Sequence, residues 1–246
     1  MRNDPGSLTI IGTGIRAQHL TPEALAEIRA ADELLYLAAE PHLAAWLGAL
    51  HEHAASLQHH YAAGLDRAAT YEAMVEAMLQ PAREGRRVAA AFYGHPGVFV
   101  TPSHAALARA AAEGIPARML PAVSAEDCLF ADLGIDPGRT GCQSYDASHF
   151  VGRRPRLDTG AVVLLWQISV VGERRAVVAP SRDGLASLTE ALLEHYAPGH
   201  VVTVYEASPY AVAGPVVERL ALRDLPQHDV SPLATLVVPP ATSGTR

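Results

Sequence analysis

Three side chains able to hold or move a proton, Tyr61, Arg67 and Tyr71, fall close together, with Arg67 one helical turn before Tyr71 if a helix reaches back that far. Composition gives them a plain explanation: Tyr71 ends an apolar stripe and Arg67 is a solvated charge at a helix start. A second group is Tyr93-Gly94-His95-Pro96-Gly97-Val98-Phe99. Its glycines would let a ligand approach the backbone, but the same residues fit a tight turn in which His95 bonds to the backbone. Pattern alone leaves both readings open. Gly12-Thr13-Gly14 follows an apolar run in the manner of a dinucleotide-binding loop, yet the third glycine is missing and position 17 is Ala. A tight turn between strand and helix is the more economical reading.

Other chemistries are poorly supported. Ser124 and Ser144 lie outside any G-x-S-x-G elbow, which argues against Ser-His-Asp catalysis. His51, His53, His59 and His60 lack acidic or Cys companions at a metal-binding spacing and read as surface histidines, so no metal is expected. Cys128 and Cys142 are too few for a disulfide framework and form no C-x-x-C pair; both read as buried thiols.

The elements that must position these residues follow from periodicity. Leu8 to Ile11 reads as a strand, and Thr21-Pro22-Glu23 starts a helix, because Thr caps, Pro fits the first helical position and Glu complements the dipole. Leu34 to Leu37 is a second strand. From Thr70, the residues Tyr71, Met74, Val75, Met78 and Leu79 form one helical stripe that Pro81 kinks and Gly85 stops. Val88 to Tyr93 is the next strand, Ser103 to Glu113 a helix closed by Gly114, and Ala117 to Leu120 a strand. Ser124 with Asp127 resembles a capping box, which predicts a helix from about Ala125 to Leu133. Beyond it, Val162 to Trp166, Val201 to Tyr205 and Leu233 to Val238 are strands, Gly184 to Tyr196 is a helix, Gly138 to Gly160 carries a larger share of loop, and Pro239 to Arg246 is a frayed tail. Alternating strands and helices indicate an α/β fold, divided into 1–120, 121–240 and a short tail.

With 246 residues, 49% of them hydrophobic and 18% charged, the chain can bury sizeable α/β cores. A net charge of -7 argues against a nucleic-acid surface, which depends on clustered Lys and Arg. No apolar run approaches the roughly 20 residues of a membrane span, and the start Met1 to Pro5 is unlike a secretory segment, so the expectation is a cytoplasmic protein that binds neither membrane nor nucleic acid.

Two long segments carry a family resemblance. Phe92-Tyr-Gly-His-Pro-Gly-Val-Phe-Val-Thr-Pro-Ser-His104 and Met119-Leu-Pro-Ala-Val-Ser-Ala-Glu-Asp-Cys-Leu-Phe-Ala-Asp-Leu-Gly-Ile-Asp-Pro137 closely resemble the borosin peptide α-N-methyltransferases, within the S-adenosylmethionine (SAM)-dependent tetrapyrrole methylase superfamily. Gly12 to Ile15, Arg67 to Tyr71, Gly141 to Tyr145, Leu165 to Gln167 and Tyr205 to Ala207 extend it nearly end to end. The resemblance implies a two-domain tetrapyrrole-methylase-like fold, a mostly parallel N-terminal sheet and a mixed C-terminal sheet, with a SAM cleft between them. It implies that Tyr93, His95, Val98, Phe99, Ser124, Gln167, Ala207 and Thr235 line the SAM pocket, while Tyr61, Arg67 and Tyr71 face a peptide. The wider superfamily usually has Gly-Asp-Pro where this chain has Gly94-His95-Pro96, a departure that tilts the expected substrate from a corrin ring toward a peptide.

Such residues suit backbone N-methylation. An amide nitrogen is a poor nucleophile because its lone pair is delocalised, so its proton must leave and the resulting charge must be stabilised. A Tyr phenolate or Tyr-bound water can take the proton, an Arg can hold the oxyanion and a second Tyr can donate to the carbonyl. Fungal members of the family carry the target peptide as a C-terminal extension, whereas this sequence ends soon after its last strand. The expectation is therefore a separate precursor with leader and core supplied in trans, acting on a homodimer to give a heterotetramer. Alternatives inside the superfamily are a tetrapyrrole C-methyltransferase or a diphthine-type methylase; outside it stands a non-catalytic SAM- or peptide-binding module.

Overall fold

The protein is described from a computed structural model that covers residues 6–61, 66–173 and 181–241. Packing divides the chain into two compact units, Met1–Asp127 with Pro209–Ala213, and Cys128–Ser208 with Gly214–Arg246.

The first unit is an open parallel sheet. In chain order it contains β1 (Ser7–Gly12), α1 (Pro22–Ala30), β2 (Glu33–Leu37), α2 (Pro41–Gly48), β3 (Ala54–Ser56), α3 (Arg67–Arg83), β4 (Arg87–Phe92), α4 (Thr101–Ala112) and β5 (Ala117–Leu120). The strands lie in the order β3-β2-β4-β1-β5, and every pairing is parallel. Successive residues of β4 point to opposite faces: Ala90 packs with Met74, Met78, Ala106 and Ala110 of α3 and α4, while Ala89 and Ala91 pack with Ala24 and Ile28 of α1. Three small side chains in a row let helices approach both faces of the central strand. From β1 the chain leaves toward β2, and from the adjacent β4 it leaves toward β5. Their carboxyl ends therefore form a topological switch point, where open α/β sheets bind ligands. The segment Pro209–Ala213 joins this unit from far along the chain, and its Tyr210 ring stacks on His42 of α2, with ring centroids 4.7 Å apart.

The local signals hold where they were strong. Thr21 accepts a hydrogen bond from the Ala24 N–H at 3.1 Å, with Pro22 at the first helical position. The helix α3 runs on through Pro81 to Arg83, and Gly85, at φ +86, ends it while the Arg86 N–H reaches the Pro81 carbonyl at 3.1 Å.

The second unit has α5 (Ala125–Leu133, whose first turn belongs to the first unit), α6 (Pro137–Thr140), β6 (Cys142–Asp146), α7 (Ala147–Arg153), β7 (Val162–Trp166), α8 (Arg182–Leu193), β8 (Val201–Glu206), β9 (Val216–Ala221) and β10 (Thr235–Val238). Its sheet is mixed, in the order β6-β7-β10-β8-β9, with β6 parallel to β7 and the other pairs antiparallel. Val163, Leu165, Val202, Val204, Leu236 and Val238 meet Phe150 of α7 and Leu185, Leu188 and Leu192 of α8 in one core.

Several expectations need correction. The stretch from Gly138 to Gly160 holds β6 and α7; β6 is a polar edge strand without apolar alternation, and α7 is a short helix that the Asp146 carboxylate caps by accepting from His149 N–H at 2.9 Å. The last strand begins at Thr235 because Leu233 and Ala234 complete a turn in which Ala234 N–H donates to the Ser231 carbonyl. Cys128 and Cys142 are half-exposed. Of the tail, Ala241 is held by donating to the Thr159 carbonyl at 2.8 Å, and 242–246 lie outside the described residues.

Candidate active site

Asp66 caps α3 by accepting from the Ala68 and Ala69 N–H groups at 2.8 and 3.3 Å, so the helix begins at Arg67 and sets Arg67 and Tyr71 one turn apart on one face. The Arg67 Nη2 donates to the Tyr71 hydroxyl oxygen at 3.2 Å, and its guanidinium carbon stands 5.9 Å from the ring centroid. Tyr61 ends a short turn, Leu57–His60, whose geometry brings its ring edge-on to Tyr71 with centroids 6.4 Å apart. The three residues expected to face a peptide thus form one half-buried cluster. Burial pushes the Tyr61 hydroxyl above the ordinary phenol range, helped by charge and hydrogen bonding from Tyr71 and opposed by Arg67. The Tyr93 hydroxyl is raised in the same way, by desolvation first and then by Tyr71, with Arg67 opposing, even though the residue as a whole exposes 37% of its surface. Tyr93, assigned above to the cofactor, also belongs to this electrostatic group. The sequence signal was its place at the carboxyl end of β4.

At the switch point the two glycine loops are joined. Gly14 N–H donates to the Gly94 carbonyl at 3.2 Å, and Gly94 N–H returns to the Gly14 carbonyl at 2.9 Å. Thr13 N–H goes to the Phe92 carbonyl at 2.9 Å and Ile15 N–H to His19 Nδ1 at 3.2 Å. Three successive N–H groups of the β1 loop, those of Thr13, Gly14 and Ile15, are therefore engaged inside the protein and are not offered to a phosphate. A Cβ on Gly12 would lie 2.5 Å from the Ala122 Cβ and 2.6 Å from the Pro96 Cδ, so this glycine exists for close packing. The tight-turn reading of Gly12-Thr13-Gly14 is the one the geometry supports.

Within the β4 loop, His95 is half-buried and its Nδ1 accepts from the Gly97 N–H at 3.0 Å. Phe99 is 42% exposed and takes a left-handed φ of 56, strain that an unconstrained loop would relieve. Ser124 is buried and forms the expected reciprocal cap: its Oγ donates to Asp127 Oδ2 at 2.7 Å and accepts from Asp127 N–H at 3.1 Å. In the second unit, Gln167 follows β7 at φ 58, Ala207 follows β8, and the buried Thr235 opens β10 in register with Tyr205. Gln167, Ala207 and Thr235 therefore share one end of the mixed sheet. Two of the three left-handed non-glycine residues in the described chain, Phe99 and Gln167, come from the set expected at the cofactor; the third, Arg154, ends α7.

The histidines stay in two pairs, with ring centroids 6.0 Å apart for His51 and His53 and 4.0 Å apart for His59 and His60. His51 bonds the Ala31 carbonyl and His59 the Ser56 carbonyl, while the Nε2 of the half-buried His60 has no hydrogen-bond partner among the described residues. Among the described residues no three His, Cys, Asp or Glu side chains gather as a metal site, and no helix is long and apolar enough to cross a membrane.

The family model for tetrapyrrole (corrin/porphyrin) methylases matches residues 7–209. The chain belongs to that family. Among curated relatives of this chain, the methyltransferase/ribosomally synthesized cyclic peptide gymnopeptides precursor of Gymnopus fusipes is 39% identical over 241 residues, covering 96% of the chain and 57% of the relative. The corresponding omphalotin A precursor of Omphalotus olearius is 38% identical, with 96% and 58% covered. The chain thus spans less than two thirds of the length of these relatives. Among solved structures, uroporphyrin-III-C-methyltransferase from Thermus thermophilus superposes with a TM-score of 0.66 at 23% identity, over 96% of this chain and 93% of that one. That likeness establishes the methylase fold.

Proposed function

We propose that the protein N-methylates backbone amides of a ribosomally made precursor peptide, with SAM as methyl donor. The observation that carries this reading is the half-buried cluster of Tyr61, Arg67 and Tyr71, joined electrically by Tyr93, beside the switch point of the parallel sheet. The names of the fungal relatives, which pair a methyltransferase with a cyclic peptide precursor, support the substrate class. The loop chemistry fits the donor: SAM has no phosphate, and the Thr13, Gly14 and Ile15 N–H groups of the β1 loop are already engaged, while Tyr93 and Phe99 offer exposed aromatic faces. Tyr93, His95, Val98, Phe99, Ser124, Gln167, Ala207 and Thr235 would hold it, and bound SAM supplies an electrophilic methyl group.

The roles divide by environment. Tyr61 keeps its proton across neutral pH, because its hydroxyl is raised, and so acts as a donor to the substrate carbonyl as negative charge grows there. Tyr71 has the Arg67 guanidinium on its oxygen, which places a permanent positive charge where the amide proton is accepted, directly or through a water. The same guanidinium offsets the charge left on the amide. A precursor in trans and a dimeric enzyme, giving a heterotetramer, complete the proposal.

The test is incubation of the purified protein with SAM and a synthetic peptide carrying a leader and an apolar core, read by tandem mass spectrometry. Methyl groups on backbone nitrogens of the peptide are expected. Methylation of a tetrapyrrole instead would redirect the reading within the family, and methyl groups on this chain itself would replace the trans arrangement. No transfer to either, with SAM bound, would leave a binding module.

A further inference from the structure

His95 sits at the first position of a tight turn. The Val98 N–H donates to the His95 carbonyl at 3.1 Å, which places Pro96 and Gly97 at the two central positions. First positions of such turns favour Asp and Asn, because a short side-chain acceptor can take the N–H two residues on. Here that N–H belongs to Gly97, and the acceptor is His95 Nδ1 at 3.0 Å. The ring also lies against Gly97, where a Cβ would come within 3.1 Å of both His95 Cε1 and Met119 Sδ, and His104 Nε2 meets the Gly97 carbonyl at 2.9 Å. Gly97 is thus held at its N–H, at its carbonyl and on two sides.

We infer that His95 is a positioning residue whose Nδ1 does the work of an Asp carboxylate or Asn amide oxygen in bracing the β4 loop, and that substrate class is not read at this position. The inference rests on the methyltransferase reading only for its ligand. An accepting Nδ1 puts the proton of the neutral ring on Nε2, so the bracing function uses one edge of the imidazole and needs no ionisation. The His-for-Asp departure in the Gly-x-Pro loop then preserves the turn, and the tilt from corrin to peptide must be sought elsewhere, with the cluster of Tyr61, Arg67 and Tyr71 as the candidate.

The experiment compares the full chain with His95→Leu, which removes the acceptor at similar volume, and with His95→Asn and His95→Asp, which restore one. Two readouts are taken: hydrogen exchange of the Gly97 amide by NMR, and calorimetry with S-adenosylhomocysteine. His95→Leu should lose about tenfold in Gly97 protection and a similar factor in affinity, and the Asn and Asp variants should recover most of both. Peptide methylation should recover with them. A Gly97 amide equally protected in His95→Leu overturns the brace, as does an Asn variant as impaired as Leu. An Asp variant that regains Gly97 protection and ligand affinity but not peptide methylation shows that the ring reads the substrate, and also overturns the inference. If the parent protein binds no S-adenosylhomocysteine, the functional reading fails by itself, and the Gly97 exchange rates still decide the brace.

Discussion

The two ends of the parallel sheet differ in how they treat polar groups. At the amino end charges are abundant and paired in the open: Arg86 with Glu33 at 2.6 Å and with Glu84 at 2.7 Å, Arg87 with Asp32 at 3.1 Å, Arg83 with Glu113 at 2.7 Å. A hollow of about 500 Å³ lies there too, lined by Asp32, Glu33, His53, Ala54, Ala55 and Arg86. At the carboxyl end the Tyr61 and Tyr93 phenols are pushed up by desolvation, and the N–H groups of Thr13, Gly14 and Gly94 are spent on neighbouring backbone. Exposed pairs are screened and cost little to lose, whereas groups withdrawn from water respond strongly to what approaches them. The hollow and the desolvated phenols thus lie at opposite ends of the sheet.

Substitution at the cluster should have the largest effect. Arg67→Ala and Tyr71→Phe should each lower single-turnover methyl transfer by about 10² to 10⁴, the usual weight of an acid-base or oxyanion group, with S-adenosylhomocysteine affinity retained. Parent rates in both would move the chemistry away from α3.

Packing at the carboxyl end supplies the next effect. Gly12→Ala places a Cβ against Ala122, Pro96 and the Gly94 carbonyl, and should cost about 1–3 kcal/mol, seen as a lower urea midpoint. Gly114→Ala, at φ +71 but with no atom within 4 Å of a new Cβ, should cost less, since only the left-handed backbone resists it. Equal losses would show that the close approach at Gly12 is relieved by relaxation.

A smaller effect is set by pH. Burial, then Arg16, holds the His19 imidazole below its ordinary value of 6.5, and its Nδ1 is the acceptor for Ile15 N–H. The unfolded chain therefore takes up this proton first, so stability is complete above pH 6.5 and declines as pH falls from there toward the lowered folded value. His60, lowered by burial and then by His59, adds to the same slope. Replacing His19 by Gln should flatten the dependence of the unfolding midpoint on pH between about 5 and 7; an unchanged slope would assign it to other groups. The smallest change is expected from Arg86→Ala, whose effect on the midpoint should shrink further with added salt.

Legibility in the sequence followed the same physics. Thr21-Pro22 and Ser124 with Asp127 were readable because capping is local, and Val162 to Trp166 because a strand buried on both faces needs an unbroken apolar run. The polar β6, the three-residue β3 and the exposed β9 are edge strands whose composition or length leaves little pattern, whereas the edge strand β5 is readable as Ala117 to Leu120. At the site, Arg67 and Tyr71 could be placed by helical spacing, but their meeting with Tyr61 depends on the turn at Leu57–His60 and with Tyr93 on sheet order. For His95 the sequence is compatible with both a turn and a ligand contact, because choosing between them requires knowing where the Gly97 N–H points.

The return of Pro209–Ala213 to the first unit bears on how the protein can be taken apart. A fragment cut at Asp127 would carry every strand of the parallel sheet yet lack the five residues that bring Tyr210 onto His42. Its α2 would present a bare imidazole face, and the remaining fragment would be left with an orphaned aromatic plug. Limited proteolysis or gene splitting at that point should therefore give two pieces that recover a native first unit only when mixed, a complementation that a chain folded as two consecutive beads would not need.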